Sequence, residues 1–264
     1  MVVVAMAAAL AAGALFWFNL PSVEPLRHAH PPITALMEAR AEEARETGRA
    51  VRRNQHWVPL SHISPWLQKA VVNSEDARFY EHDGVDVTQT RLALREAMER
   101  GKLGRGASTL TQQLAKNLWL GEERTILRKL RELVLARRLE RLGKRRVLEL
   151  YLNVAEWGPG IYGADAAARI WFGKPAWQLR PEEAAVLAAM LPAPRKRNPM
   201  RPSWQLRKRA WEILDLYQAN GQISPDEMAQ AWVRMAGILG PMTFRSVEHA
   251  SRHFHDLPQE GHRP

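Results

Sequence analysis

The stretch GRGASTLTQQLAKN, residues 104–117, joins a glycine-rich basic segment to the start of a helix. Ser108 or Thr109 can cap that helix, because a hydroxyl at the N-cap accepts a hydrogen bond from a free backbone N–H. The helix is predicted to run from about residue 109 to residue 119 and to stop before Gly121. The glycines in front of it predict a mobile loop over residues 101–107.

Signals for helices recur along the rest of the chain, whereas signals for strands are scarce. Ser64-Pro65 and Ser224-Pro225 each place a capping residue before a proline at the first helical position. The first of these helices is predicted to run through about Asn73, and Ser224 with Glu227 has the spacing of a capping box. The other predicted helices cover residues 88–100, 124–142, 145–153 and 182–191, and residues 34–47 are expected to be an exposed helix or a connector. The predicted fold class is therefore mainly α.

The composition limits the kinds of protein that this chain can be. Its 264 residues fit one catalytic domain with an appendage. The absence of cysteine excludes disulfides, thiol nucleophiles and zinc–thiolate sites. The formal net charge of +10 indicates an anionic partner, which charge alone leaves open among nucleic acid, acidic lipid and a phosphorylated substrate.

The N-terminal stretch is a candidate membrane anchor. No residue from Val2 to Leu20 is charged, and about 20 apolar residues suffice for a helix to cross the hydrocarbon core. The alternative is a cleaved signal peptide, but the stretch lacks a basic n-region and is longer than a usual h-region. Aromatic residues 16–18 near its end are typical of a membrane interface. An uncleaved anchor over residues 1–21 is therefore predicted.

The charges around this stretch bear on the orientation of the anchor. No Lys or Arg precedes the stretch, and six arginines follow it between residues 27 and 53. The positive-inside rule would then keep the body of the protein in the cytoplasm. We expect a basic segment upstream of Met1, which sequencing of the mature N-terminus would test.

A first cluster of titratable residues occupies residues 73–84, NSEDARFYEHDG. Glu75 follows the apolar residues 70–72, so it is expected where a buried helix emerges. Partial burial would raise its pKa toward the range that suits a general base. The alternative is a polar helix end with a structural histidine.

A second cluster lies on the helix of residues 109–119. Gln112 and Lys116 are four residues apart, as are Gln113 and Asn117, so each pair is expected to share a helix face. Amide groups and an ammonium group suit sugar hydroxyls and phosphate oxygens. The alternative is a capped amphipathic helix with a polar outer face.

A third cluster contains Arg128, Lys129 and Glu132. Arg128 and Glu132 are one helical turn apart and could form only a surface ion pair, worth about 0.3–0.5 kcal/mol. The competing interpretation is a cationic wall with an embedded carboxylate. Further basic residues at 137–138 and 144–146 fit either a binding surface or a solvated helix face.

Taken in this order, the clusters resemble the lysozyme-like glycosyltransferase family 51, which builds peptidoglycan. The resemblance covers about residues 55–200. Its first three motifs match Glu75, Asp76, Phe79, His82 and Gly84; Gly106, Ser108, Thr109, Thr111, Gln112, Gln113, Lys116 and Asn117; and Arg128, Lys129 and Glu132. Further matches are Tyr151–Asn153, Tyr162, Gly163, Phe172, Gly173, Lys174, Asn198 and Pro199.

The chain departs from the family pattern only mildly. Ala107 stands where glycine is common, and Asn73 and Ser74 stand where alanines are common, and neither change removes a catalytic group. Ser-x-x-Lys and Lys-Thr-Gly, the motifs of a penicillin-binding transpeptidase, are both missing. The resemblance is therefore to the monofunctional biosynthetic transglycosylases, without transpeptidase activity.

The resemblance implies a two-lobed, lysozyme-like helical glycosyltransferase domain behind an N-terminal transmembrane helix. On this basis residues 22–54 are predicted to be a connector and residues 55–220 the catalytic domain. Residues 221–264 are predicted to hold a C-terminal helix and a flexible tail.

The resemblance also implies roles for the residues of the three clusters. Glu75 is expected to be the catalytic base, and Glu132 is expected to orient the cations or to help hold a divalent ion. The residues expected to bind substrate are Asp76, Phe79, His82, Ser108, Thr109, Gln112, Gln113, Lys116, Asn117, Arg128 and Lys129. No obligatory cofactor and no metal site formed by protein side chains are expected. The resemblance allows a divalent cation, Mg²⁺ or Mn²⁺, at the pyrophosphate site.

The implied substrates are lipid II and a growing lipid-linked glycan strand, joined through β-1,4 links with inversion and release of undecaprenyl diphosphate. The implied location is the bacterial inner membrane, with a single span and a periplasmic catalytic domain. The resemblance allows partner proteins from cell division or elongation, and nucleic acid is not expected as a partner. The alternatives are a lysozyme-like lytic enzyme, and a basic membrane-tethered protein that binds acidic lipid or nucleic acid by charge.

Overall fold

The computed structural model describes residue 6 and residues 20–100, 108–121 and 125–240. Nearly all of the predicted anchor, the loop over residues 101–107 and the C-terminal tail lie outside the described residues. Among those that are described, no helix is both long enough and apolar enough to cross a membrane. The chain forms two compact units, Met1–Arg53 with Glu75–Ala155, and Asn54–Ser74 with Glu156–Pro264.

The described part of the chain is mainly α, which confirms the predicted class. Its helices are α1 (Ala35–Glu46), α2 (Pro65–Glu75), α3 (Val87–Arg100), α4 (Leu110–Ala115), α5 (Ile126–Glu140), α6 (Lys144–Val154), α7 (Ala164–Phe172), α8 (Pro181–Met190), α9 (Trp204–Ala219) and α10 (Pro225–Leu239). Short 3₁₀ turns lie at Glu24–Arg27, Leu60–His62, Phe79–Glu81 and Ala176–Gln178. Helices α7 and α9 were not predicted from the sequence.

The core of the first unit forms where α4 packs against α5 and α6. Leu110 and Leu114 of α4, Leu135 and Leu139 of α5 and Leu150 of α6 are completely buried. Truncating one such leucine to alanine typically costs about 2–5 kcal/mol, so these contacts fix α4 firmly in place. The helix is shorter than predicted, because it changes to a π-helical turn over Lys116–Leu120.

The basic residues at the start of α6 make contacts inside the first unit. The Arg146 guanidinium donates from Nε to the carbonyl oxygen of Leu26 and from Nη2 to that of Ala29, each at 2.7 Å. It also pairs with the Glu149 carboxylate one turn along the helix. Arg146 therefore holds the segment around Leu26 against α6, which favours a structural role over a binding surface.

Gly84 ends the turn that follows α2, where it lies against the backbone of α5. Its φ is +81°, a conformation that residues with a Cβ rarely adopt. A Cβ at this position would come within 2.9 Å of both the carbonyl carbon and the carbonyl oxygen of Ala136. Glycine therefore allows the turn to approach α5.

Replacing Gly84 by alanine should lower the free energy of unfolding by about 2–4 kcal/mol, through the positive φ and the clash with α5. The matched control is Gly48→Ala, because Gly48 has a φ of +64° and open space where a Cβ would lie. The control should cost only about 1 kcal/mol. Urea unfolding of both variants, followed by circular dichroism, measures the difference. If both variants lost the same free energy of unfolding, the close contact between Gly84 and Ala136 would be contradicted.

The second unit contains a small sheet in the order β1-β3-β2, formed by Asn54–Gln55, Glu156–Gly158 and Ile161–Tyr162. Strand β1 is parallel to β3 and pairs Asn54 with Ile161, whereas β2 is antiparallel to β3 and pairs Glu156 with Tyr162. Strands of two or three residues leave no alternating pattern in a sequence, and this sheet was not predicted.

Helix α8 is the centre of the second unit, packed between α9 and α10. All of its residues are buried, including Glu182 and Glu183. The Glu182 carboxylate accepts from Arg234 Nε at 2.7 Å, and the Glu183 carboxylate accepts from Lys174 Nζ at 2.7 Å. Paired charges of this kind allow carboxylates to remain in a helix that is otherwise apolar all round.

Asp215 of α9 makes the stability of the second unit dependent on pH. Burial, helped by the neighbouring Glu212 carboxylate, raises the pKa of Asp215 from 3.8 to about 6. The folded state therefore binds the Asp215 proton more tightly than the unfolded state does. The stabilisation that comes from binding this proton is fully present below the unfolded pKa of 3.8, and it is lost as the pH rises through about 6.

The variant Asp215→Asn should therefore be more stable than the parent protein at pH 7.5, by about 1–2 kcal/mol after allowance for partial solvent exposure. Near pH 4 the two proteins should unfold with similar free energies, because most of the Asp215 side chain is then neutral in the folded state. Urea unfolding at the two pH values measures the free energies. If Asp215→Asn differed from the parent protein by the same amount at pH 4 and at pH 7.5, the raised pKa of Asp215 would be contradicted.

Candidate active site

Glu75 is the last residue of α2 and is partly buried, after the buried residues Ala70, Val71 and Val72. The helix is two residues longer than predicted, so Glu75 lies at its end, as expected. The Gln113 side chain donates from Nε2 to Glu75 Oε2 at 3.2 Å. The carboxylate that was predicted to be the base is therefore held by an amide of α4.

Asp76 connects the end of α2 to the start of α4. Its carboxylate accepts from the backbone N–H of Leu110 at 2.9 Å and from His82 Nε2 at 2.9 Å. A carboxylate near a helix N-terminus satisfies a free backbone donor and interacts well with the helix dipole. Asp76 and His82 are both largely buried, so they hold the turn and α4 together.

Phe79 lies inside the first unit. It is completely buried, and its ring packs edge-on against Tyr80 and His82. The ammonium of Lys144 lies 4.4 Å from the ring centroid and donates to the His82 carbonyl oxygen at 2.6 Å. This burial favours a supporting role for Phe79, whose predicted contact with substrate stays a prediction.

Thr109 and Gln112 form a capping box at the start of α4. The Gln112 backbone N–H donates to Thr109 Oγ1, and the Thr109 backbone N–H donates to Gln112 Oε1 at 3.0 Å. The Thr109 hydroxyl also donates to the Gly84 carbonyl oxygen at 2.6 Å. With its Oε1 held by the cap, Gln112 directs its Nε2 to Glu132 Oε1 at 3.3 Å.

Glu132 of α5 collects the cationic residues of the third cluster. The carboxylate is buried, with 3% exposure, and accepts from Arg128 Nη1 at 2.7 Å and from Lys129 Nζ. Lys129 Nζ also donates to Ser108 Oγ at 3.1 Å. The sequence left open a surface ion pair or a cationic wall with an embedded carboxylate, and the burial of Glu132 supports the second interpretation.

Lys116 and Asn117 begin the π-helical turn that continues α4. Lys116 is partly exposed, and Asn117 is buried, with 8% exposure. Single π-helical turns within helices are frequent at functional sites, because the wider turn changes the direction of the side chains. The predicted contacts of both residues with substrate stay predictions.

Two consecutive residues of α4 connect the two candidate catalytic carboxylates. Gln113 donates to Glu75, and Gln112 donates to Glu132, which in turn pairs with Arg128. The candidate base and the cation cluster are therefore held by neighbouring amides of one helix. Such an arrangement can accept a proton at one end and receive negative charge at the other.

Comparison with known proteins gives the family. A sequence profile described as transglycosylase matches residues 41–218. The chain is 50% identical over 182 residues to a biosynthetic peptidoglycan transglycosylase from Alcanivorax borkumensis, covering 69% of this chain and 71% of that protein. It is 48% identical over 209 residues to the protein of the same name from Rhodospirillum centenum, and the match covers 79% of this chain and 87% of that protein. The chain belongs to the transglycosylase family.

A third relative, from Nitrosomonas eutropha, carries the same name and is 43% identical over 199 residues, which cover 75% of this transglycosylase and 81% of the relative. The family expected from the sequence motifs is thereby confirmed.

The transglycosylase contains two site features that sequence reasoning did not identify. The Tyr151 hydroxyl donates to Gln113 Oε1 at 2.9 Å, and the Thr111 hydroxyl donates to Glu140 Oε1 at 2.6 Å. Tyr151 had been matched to a family motif without a role. Its position in the apolar stretch LELYLNV was the available signal, since a buried tyrosine hydroxyl usually has a partner.

The acidic side chains of the described residues bear on whether the transglycosylase could hold a metal ion. Within the described ranges, no group of three His, Asp or Glu side chains is placed to hold a metal ion. Both oxygens of Glu132 already accept from cationic side chains, so this carboxylate is poorly suited to a divalent ion. A divalent ion at the pyrophosphate site stays a prediction.

Proposed function

We propose that this transglycosylase polymerises glycan strands from lipid II, with Glu75 as the general base. The acceptor's 4-hydroxyl oxygen attacks the anomeric carbon of the donor, and its proton passes to the Glu75 carboxylate. The bond from that carbon to the diphosphate oxygen breaks, and its electron pair leaves with undecaprenyl diphosphate. Attack opposite the leaving group inverts the carbon and gives a β-1,4 link.

The observation that carries this proposal is the pair of hydrogen bonds from Gln112 and Gln113. They connect a partly exposed carboxylate, Glu75, to a buried carboxylate, Glu132, that is surrounded by cations. A base must be reached by the acceptor hydroxyl and must take up its proton. Glu75 is the better candidate, because it is partly exposed whereas Glu132 is buried against two cationic side chains.

We propose that the cation cluster neutralises the leaving diphosphate. Pyrophosphate leaves readily if cations meet its developing charge. Lys129 is partly exposed, and Arg128 is held in place by Glu132. Glu132 is then a positioning residue for these cations, and Lys116 contributes a further positive charge after α4.

A lysozyme-like lytic activity is less well supported by this site. A sugar alkoxide leaves poorly, so a glycosidase needs a protonated carboxyl group as general acid. Glu132 accepts from two cationic side chains, which suits an ionised carboxylate and not an acid. The relatives are also named for biosynthesis and not for lysis.

The test compares purified full-length protein on two substrates. With lipid II in detergent, we expect long glycan strands on a gel. With preformed sacculi and no lipid-linked donor, we expect no soluble fragments. Release of fragments from sacculi without strand growth from lipid II would overturn the proposal in favour of lysis.

We further propose that residues 1–21 anchor the protein in the inner membrane, with the catalytic domain in the periplasm. The support is the uncharged stretch from Val2 to Leu20 together with the lipid-linked substrate proposed here. Resistance to carbonate extraction, and activity of a periplasm-dependent reporter fused after residue 240, test the anchor and its orientation. Division or elongation proteins remain proposed partners.

A further inference from the structure

A chain of three side chains leads from α6 to the proposed base. The Tyr151 hydroxyl donates to Gln113 Oε1 at 2.9 Å, and Gln113 Nε2 donates to Glu75 Oε2 at 3.2 Å. Tyr151 is 2% exposed, so this hydroxyl is shielded from water. The phenol, the amide and the carboxylate therefore form one directed series of hydrogen bonds.

Tyr151 and Glu75 favour the same orientation of the Gln113 amide, because the phenol donates to its oxygen and the carboxylate accepts from its nitrogen. Burial, reinforced by the nearby carboxylates of Glu75 and Asp76, raises the pKa of Tyr151 well above its ordinary value of 10. The hydroxyl consequently keeps its proton and can donate to Gln113. An amide has one end that accepts and one that donates, so the end facing Tyr151 fixes the end facing Glu75.

We propose that Tyr151 is a positioning residue for the glycosyl transfer, acting through Gln113 on the carboxylate of Glu75. It keeps the donating end of the amide directed at Glu75 Oε2 and thereby orients the carboxylate for the acceptor hydroxyl. This inference rests on the proposed role of Glu75 as base. It also assigns Gln113 to the support of Glu75, whereas the sequence assigned it to substrate.

The surrounding structure is rigid enough for this effect. Tyr151 follows the buried residues Leu148 and Leu150 of α6, and α6 packs on α4, which carries Gln113. Asp76 binds the first N–H of α4, so the helix cannot shift along its axis without losing that contact. The amide of Gln113 can still rotate about its own bonds, and that is the motion Tyr151 restrains.

The variant Tyr151→Phe keeps the ring and removes only the hydroxyl. The Gln113 amide then loses the donor that holds its Oε1, so its Nε2 can rotate away from Glu75 Oε2. We expect kcat to fall about 10-fold with an unchanged KM for lipid II. The reason is that the hydrogen bond from Gln113 to the Glu75 carboxylate is weakened but not abolished. The acid limb of the pH–rate profile should move to higher pH, because Glu75 loses a donor that favours its ionised form.

The matched control is Tyr217→Phe in the second unit. Tyr217 is also completely buried, and its hydroxyl donates to the Trp66 carbonyl oxygen at 2.6 Å. Both variants therefore lose one buried tyrosine hydrogen bond and some stability. Only Tyr151→Phe should change kcat and the pH–rate profile. If the two variants change activity per folded molecule alike, the effect of Tyr151 is merely structural and the inference is overturned.

A double-mutant cycle tests whether Tyr151 acts through Gln113. In a Gln113→Leu background no amide remains to be oriented, so adding Tyr151→Phe should cost little further activity. Equal losses from Tyr151→Phe in both backgrounds would refute action through Gln113. If Glu75→Gln retained full activity, the proposed function itself would fail. If Glu75→Gln were inactive and Tyr151→Phe fully active with an unchanged pH profile, only this inference would fail.

Discussion

Replacing Glu75 by glutamine should reduce the rate of glycan polymerisation from lipid II by about 10²–10⁴-fold, the usual contribution of a general base. Glutamine has nearly the same shape as glutamate but cannot take the proton of the acceptor hydroxyl. Lipid II binding should remain within a few-fold of that of the parent protein. The measurements are initial rates of strand synthesis and binding of fluorescent lipid II.

The control for Glu75→Gln is Glu81→Gln, which removes a carboxylate from the same segment. Glu81 is exposed and pairs with Arg78 at 2.8 Å, outside the network that contains Glu75. This variant should polymerise lipid II at nearly the parental rate. An active Glu75→Gln enzyme, or an equal loss in both variants, would remove Glu75 from the role of base.

Replacing Arg128 by alanine should reduce kcat/KM for the lipid-linked donor by about 10²–10³-fold, as is typical when one group that stabilises developing charge is removed. The substitution removes a cation that is proposed to neutralise the leaving diphosphate, and it removes one of the partners that hold Glu132. Arg128→Lys should recover part of the activity, because it restores the charge without the second donor of a guanidinium. Lys116→Ala should also lower kcat/KM for the lipid-linked donor.

Arg131→Ala is the matched control for the change in net charge. Arg131 lies on the same helix, α5, but its side chain is exposed. Loss of a charge at this position should leave kcat/KM nearly unchanged at physiological salt, roughly 0.15 M, because screening reduces the effect of exposed charges. If Arg128→Ala and Arg131→Ala have the same small effect, general surface charge and not the Glu132 cluster serves the donor.

End signals predicted some of the helices well, although α9 was missed despite Ser203 at its N-cap. Ser224-Pro225 and Glu227 predicted a capping box, and the structure has this box at the start of α10. Helix α7 was missed, because it starts after Gly163, which offers no side-chain cap. Its first residues, ADAAA, also lack large apolar side chains at a helical period. Gly173 at its C-cap marks only its end, and burial of residues 164–168 in the second unit supports the helix.

The candidate site residues were chosen from the sequence, but their hydrogen-bond partners were not predicted. Order and spacing identified Glu75, Gln112, Gln113 and Glu132, and the structure brings the four together around the start of α4. Spacing predicted that Gln113 would share a face with Asn117 for binding substrate, whereas its amide lies between Glu75 and Tyr151. These partners are 38 residues away on either side, a separation at which a local pattern carries no information.

The sequence by itself determined the family, the mainly α class and the side chains available for chemistry, because capping, periodicity and motif order are local properties of a chain. Only the tertiary structure decided which of those side chains meet. The packing of α4 against α5 and α6 buries Glu132 among cations and directs Gln113 between Glu75 and Tyr151. Such contacts depend on how buried surfaces fit together, and that fit is fixed by the whole fold at once.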